Sequence, residues 1–278
     1  MEKFITSDQT EVHYVSLGEG SKTIIFLHGW TSSVTEWLPF ASALADHYRV
    51  VCWDARGHGT HHYSSETEMS IPKMADDLAE LIQHLNIQNA ILVGHSMGAL
   101  TAWEYIKSHG QDALAGLCVI DQSPKLVTNE SWTLGVYSQF DTAANQALIA
   151  LLSRDFPEGV LNLIAMGHNQ RSRENYENNS RGFQMMREYL SKLNAPLLTR
   201  CWESITQQDY RDVLSTIHLP CLLIYGDQSQ FYSKELAHWV SANTPHATLS
   251  IYPNSDHSPH MWHKERFIYD LKTFVEAL

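Results

Sequence analysis

A short apolar run, Ile91-Leu92-Val93, breaks at Gly94-His95-Ser96-Met97-Gly98 and passes into residues spaced like one face of a helix. Met97, Leu100 and Trp103 or Tyr105 carry that spacing, which ends near Gly110. A strand that turns directly into a helix forces the apical serine out of the ordinary backbone regions. Side chains at positions 94 and 98 would collide with the crossing strand or helix, so glycine flanks the serine on both sides. The turn lifts the Ser96 hydroxyl clear of the backbone and aims the following amides at whatever that oxygen attacks. A lone Gly-x-Ser-x-Gly string also arises as a plain glycine-rich turn; the strand before it and the helix after it give this one its meaning.

Two further strands end in short motifs. Ile24-Ile25-Phe26-Leu27 runs into His28-Gly29-Trp30, and Val50-Val51-Cys52-Trp53 runs into Asp54-Ala55-Arg56-Gly57-His58-Gly59. Together with the serine turn, this set resembles the α/β-hydrolase superfamily, and within it the small serine esterases often labelled non-haem chloroperoxidases. The resemblance implies an α/β fold with a mainly parallel eight-stranded sheet flanked by helices and a helical lid inserted in it. The chain's own patterning agrees, because apolar strands alternate with amphipathic helices over 37–48, 72–85 and the segment after Ser96. An antiparallel hairpin (Phe4-Ile5 and Val12 to Val15) precedes this alternation.

Past Leu117-Cys118-Val119-Ile120 the alternation stops. Residues 123–216 contain helix patterns at 145–152, 183–193 and 197–205, one polar stretch at 168–181 and no buried strand. They read as a helical lid inserted within a single domain spanning 1–278. Strands return at 221–225 and 248–251 around a helix at 233–242, and a helix at 265–278 closes the chain.

A serine hydroxyl needs a base to take its proton and a carboxylate to orient that base. In this superfamily the order along the chain is serine, acid, histidine. The resemblance places the base at His257, in Ser255-Asp256-His257-Ser258-Pro259-His260, where Asp256 departs from the commoner Gly-His pattern. The acid is the open position. Most relatives carry it three residues beyond the glycine that ends the strand at 221–225, and that residue here is Ser229. Asp121, at the end of the preceding strand, is the favoured substitute, and Asp227 is the alternative. The resemblance assigns oxyanion donation to the backbone N–H groups of Trp30 and Met97, with His28 structural and the Trp30 indole a pocket wall. Trp132, Tyr137, Phe140, Met166, Met185 and Met186 are candidates for an apolar acyl pocket in the lid.

The expected activity is hydrolysis of a small apolar carboxylic ester, lactone or related acyl bond through an acyl-enzyme. Halide oxidation by a peracid formed at the same serine would be a side reaction. Two other readings stay open: a cofactor-free dioxygenase using His257 and Asp121 on a heteroaromatic substrate, and a slow-turnover ligand receptor. No cofactor and no metal is expected. His257, His260 and His263 have a ligand-like spacing without an accompanying cysteine or carboxylate motif, so His260 and His263 read as polar loop and helix start. His58 belongs to its loop motif, and His61 and His62 read as solvated. The net charge of −12 disfavours nucleic acid and anionic membranes as partners. No stretch reads as a transmembrane segment or signal peptide, and Cys52, Cys118, Cys201 and Cys221 read as buried free thiols in a reducing cytoplasm.

Overall fold

The computed structural model describes residues 1–278. β1 (Glu2–Ile5) and β2 (Glu11–Leu17) form the expected antiparallel hairpin, with Phe4 opposite Val12. β3 (Thr23–Leu27) is buried along its whole length. Its successive side chains leave for opposite faces, Ile25 and Leu27 into one apolar cluster and Ile24 and Phe26 into another. That two-sided burial explains why the strand reads as a continuous apolar run rather than an alternating one.

The alternation continues through α1 (Leu38–Leu44), β4 (Arg49–Asp54), α2 (Ile71–His84), β5 (Ala90–His95), α3 (Met97–His109) and β6 (Leu114–Ile120). Ser70 caps α2 by accepting from the Lys73 N–H, and Pro72 occupies its first turn, where no N–H is needed. α1 is shorter than the 37–48 reading: Trp37 precedes it, fully buried against Phe26 and Phe40.

Between β6 and the next strand lie α4 (Thr142–Arg154), α5 (Phe156–Ala165), α6 (Gln170–Glu177), α7 (Arg181–Leu190), α8 (Ala195–Gln207) and the single turn α9 (Arg211–Leu214). No strand interrupts them. The polar stretch at 168–181 is largely helical as α6, a helix with no buried residue, begun by Asn169 accepting from the Ser172 N–H. β7 (Cys221–Gly226), α10 (Lys234–Asn243), β8 (Ala247–Tyr252), the turn α11 (Pro259–Trp262) and α12 (Lys264–Glu276) complete the chain.

The eight strands order as β1-β2-β4-β3-β5-β6-β7-β8, with β1, β2 and β4 meeting antiparallel and all other neighbours parallel. The four cysteines are buried and unpaired. No helix is long and apolar enough to cross a membrane.

Candidate active site

Ser96 joins β5 to α3 with φ 52° and ψ −118°, outside the regions an L-residue ordinarily adopts. The two glycines make this turn possible. A β-carbon at Gly94 would stand 2.6 Å from the Gly98 carbonyl oxygen and the Ala99 nitrogen at the start of α3. One at Gly98 would stand 2.1 Å from the Leu27 carbonyl oxygen of β3. The Ser96 N–H bonds the Ile120 carbonyl at 3.1 Å, which fixes the turn to the end of β6. Met97 is the first residue of α3, and the first N–H groups of a helix have no acceptor within it.

Asp121 follows β6 directly, fully buried, with a left-handed φ of 47° that aspartate tolerates better than most residues. Its amide extends the ladder to the Ile224 carbonyl at 2.8 Å. Its carboxylate accepts from the Gly226 N–H at 3.1 Å, from the Ser229 hydroxyl at 2.7 Å and from His257 Nδ1 at 2.6 Å. Ser229, the position where the family pattern breaks, therefore donates to the carboxylate that faces the histidine. Asp227 does not reach His257; its nearest charged partner is Lys234, at 3.9 Å. The His257 N–H is held by Gln230 Oε1 at 3.0 Å. Burial lowers the His257 pKa below the ordinary histidine range, against the opposing pull of Asp121.

Beside the serine turn, along the same cavity, lies a cluster that the sequence reading missed. Glu36, in the loop after Trp30, accepts from the Gly29 N–H at 3.2 Å, from His95 Nδ1 at 2.7 Å and from His260 Nε2 at 3.2 Å. His95 Nε2 donates to the His257 carbonyl at 2.9 Å. Burial disfavours charge on Glu36, but the facing His95 and His260 outweigh it and hold the carboxyl well below its usual range. Burial likewise opposes charge on His95, and Glu36 raises its pKa above the ordinary value. His260 is pushed down to about 4, chiefly by burial. No sequence motif flags Glu36; only the fold brings it beside His95.

His260 is not the polar loop residue expected: it is fully buried, with its ring 4.8 Å from that of Trp37. His61 is not solvated either, since it bonds Asp54 at 2.8 Å and lies 3.5 Å from the His13 ring. His260 is covered by the aromatic rings of Trp37, Phe40 and Phe267, and His61 by the ring of His13, neighbours that the local sequence context does not reveal. His28 is structural as expected, accepting from the Ala55 N–H at 3.0 Å. His263 accords with a helix start, directly before α12.

Ser96, His257, Trp30 and Met97 line one cavity of about 660 Å³, which α5, α7 and α8 also line through Val160, Leu163, Phe183, Met186, Leu190 and Trp202. The Trp30 indole walls it and donates to the Leu198 carbonyl at 2.9 Å. Of the six apolar candidates in the inserted segment, only Met186 lines the cavity. Trp132 and Phe140 are buried outside the lining, Tyr137 stands behind it and donates to the carbonyl of the lining residue Leu163, and Met166 and Met185 face solvent.

These features define a class. Residues 22–264 match the alpha/beta hydrolase fold family, and the chain belongs to it. Among curated proteins it is 26% identical over 258 residues to a pimeloyl-[acyl-carrier protein] methyl ester esterase of Aeromonas hydrophila, covering 91% of this chain and 94% of that one. It is 27% identical over 278 residues to a non-haem chloroperoxidase of Kitasatospora aureofaciens, covering 97% and 98% of the two chains. The fold is shared with a bromoperoxidase structure from Bacillus anthracis, at TM-score 0.85 and 22% identity over 99% of this chain and 100% of that one.

Proposed function

We propose that this chain is a serine hydrolase cleaving a small apolar carboxylic ester, lactone or related acyl bond through an acyl-enzyme on Ser96. Family membership and the esterase relatives support an enzyme of the esterase kind. One observation carries the finer reading: His257, which lines the same cavity as Ser96, is paired at 2.6 Å with the buried carboxylate of Asp121 behind it.

With Nδ1–H held by the carboxylate, His257 Nε2 keeps a lone pair and accepts the Ser96 proton as Oγ attacks the acyl carbon. The N–H groups of Trp30 and Met97 receive the oxyanion. His257 returns the proton to the leaving alcohol, then takes one from a water whose oxygen bonds the acyl carbon; as the bond from that carbon to Ser96 Oγ breaks, His257 passes the proton to Oγ, and the acid leaves. Residues 123–216 act as a helical lid within the single domain 1–278, and their apolar cavity wall receives the apolar part of the substrate.

Ser96→Ala tests this. Ester hydrolysis should fall by about three to six orders of magnitude in a folded protein. Undiminished hydrolysis would defeat the mechanism. Oxygen consumption by that variant with a quinolone-type substrate would assign His257 and Asp121 to dioxygenation instead.

A further inference from the structure

We propose that Glu36 is a positioning residue, a buried carboxylate whose pair with the His95 imidazolium ties the Gly29-Trp30 turn, the Ser96 elbow and the His257 loop into one unit. The inference rests on the hydrolase reading given above. Each of the three site segments reaches the same carboxylate. Gly29, which donates to one oxygen at 3.2 Å, immediately precedes the amide proposed to hold the oxyanion. His95, which donates to the other at 2.7 Å, immediately precedes Ser96. The His257 carbonyl accepts from the far side of the same imidazole at 2.9 Å, and His260, three residues on, donates to Glu36 at 3.2 Å.

The protonation follows from the partners. Both His95 nitrogens face groups that only accept, a carboxylate and a carbonyl, so both carry protons and the ring is a cation. A buried cation persists only with a counter-charge, and Glu36 supplies it. The His95 and Glu36 side chains are each 8% exposed, so water screens the pair little. The groups facing His95 are Glu36 from the loop before α1, His260 from α11, His257 from its loop and Asp121 from the end of β6. Those facing His257 are Asp121, Asp256, His95, His260 and Tyr232.

This gives Glu36 two effects on the reaction. It fixes the spacing between oxyanion donors, nucleophile and base, and it holds a positive charge with its ring centre 4.9 Å from that of the base. A like charge at that distance disfavours protonated His257 and keeps the base neutral further into acid. Glu36, His95 and His260 also have the composition of a metal site. The 2.7 Å separation suits a shared proton, whereas two ligands each about 2 Å from a tetrahedral zinc stand farther apart.

The test compares wild type, Glu36→Gln and His95→Phe in ester hydrolysis across pH, with ring ¹⁵N NMR of the histidines in the wild-type protein. Glu36→Gln should lower kcat by roughly 10–100-fold with KM changed less than about threefold, as a geometric rather than binding loss predicts. In both variants the acid limb of kcat/KM should move up by roughly half a pH unit or more, because His257 loses its cationic neighbour. In wild type both His95 ring nitrogens should be protonated at pH 7. An unmoved acid limb in both variants, or a neutral His95, would overturn the proposal. Stoichiometric Zn²⁺ binding lost in Glu36→Gln would also overturn it, in favour of a metal site. If wild type hydrolyses no ester, the hydrolase reading fails on its own, while the ¹⁵N measurement still decides the charge on His95.

Discussion

Asp121 sits where a parallel strand ends, with one carboxylate oxygen 2.6 Å from His257 Nδ1 and no exposure to solvent. Its amide replacement keeps the shape but can present an N–H where the histidine needs an acceptor. Asp121→Asn should therefore cut turnover by several orders of magnitude, by analogy with losses of ~10⁴ for such a change in a serine protease. Asp227→Asn should cost no more than about tenfold, and reversed effects would make Asp227 the acid. The lowered pKa of His257 sets the sign of the pH dependence: the neutral base persists below the ordinary histidine range, so the acid limb of kcat/KM should lie below pH ~6.5. A midpoint above 7 would contradict this. The Ser96 turn was legible from its flanking glycines, and the resemblance supplied His257, while the choice between Asp121 and Asp227 stayed open in the sequence because both follow strand ends; only the fold pairs Asp121 with His257. Glu36 was not legible, because its partners His95 and His260 lie 59 and 224 residues away.

At the scale of elements, α7 carries adjacent methionines with opposite fates. Met186 lines the cavity while Met185 is 61% exposed, as expected of neighbours about 100° apart around a helix. Met186→Ala should shift the preferred acyl chain length toward longer esters, and Met185→Ala should leave the profile unchanged. Superimposable profiles for wild type and Met186→Ala would place the acyl group on another wall. The sequence revealed α4, α7 and α8 in part, through apolar spacing, but missed α5. Asp155 and Pro157 mark its start, with Asp155 accepting from the Glu158 N–H, yet its apolar residues occupy nearly every face. α6 was hidden by the converse, having no buried face to imprint a period.

For the whole molecule, Arg56 joins the hairpin turn, the loop after β4 and α2. Its fully buried guanidinium makes two 2.6 Å bonds to buried Asp77 and reaches Asp8 at 2.9 Å. Asp77→Asn leaves that cation short of charge inside the protein and should cost about 3–5 kcal/mol in chemical denaturation. A loss under about 1 kcal/mol would mean that Asp8 alone balances Arg56. The central strands β3 to β7 were legible because their successive residues alternate between two apolar clusters, one on each face of the sheet, whereas the edge strand β8 carries Thr248 and Ser250 on one face. What the sequence could not carry was the meeting of segments far apart in the chain along one cavity. In the proposed mechanism this meeting makes Ser96 a nucleophile. Intact-mass measurement after treatment with a fluorophosphonate tests it most directly. A single adduct, located by peptide mapping on Ser96 and absent from Ser96→Ala, is the predicted result; an unmodified folded protein, or an adduct on another residue, would contradict it.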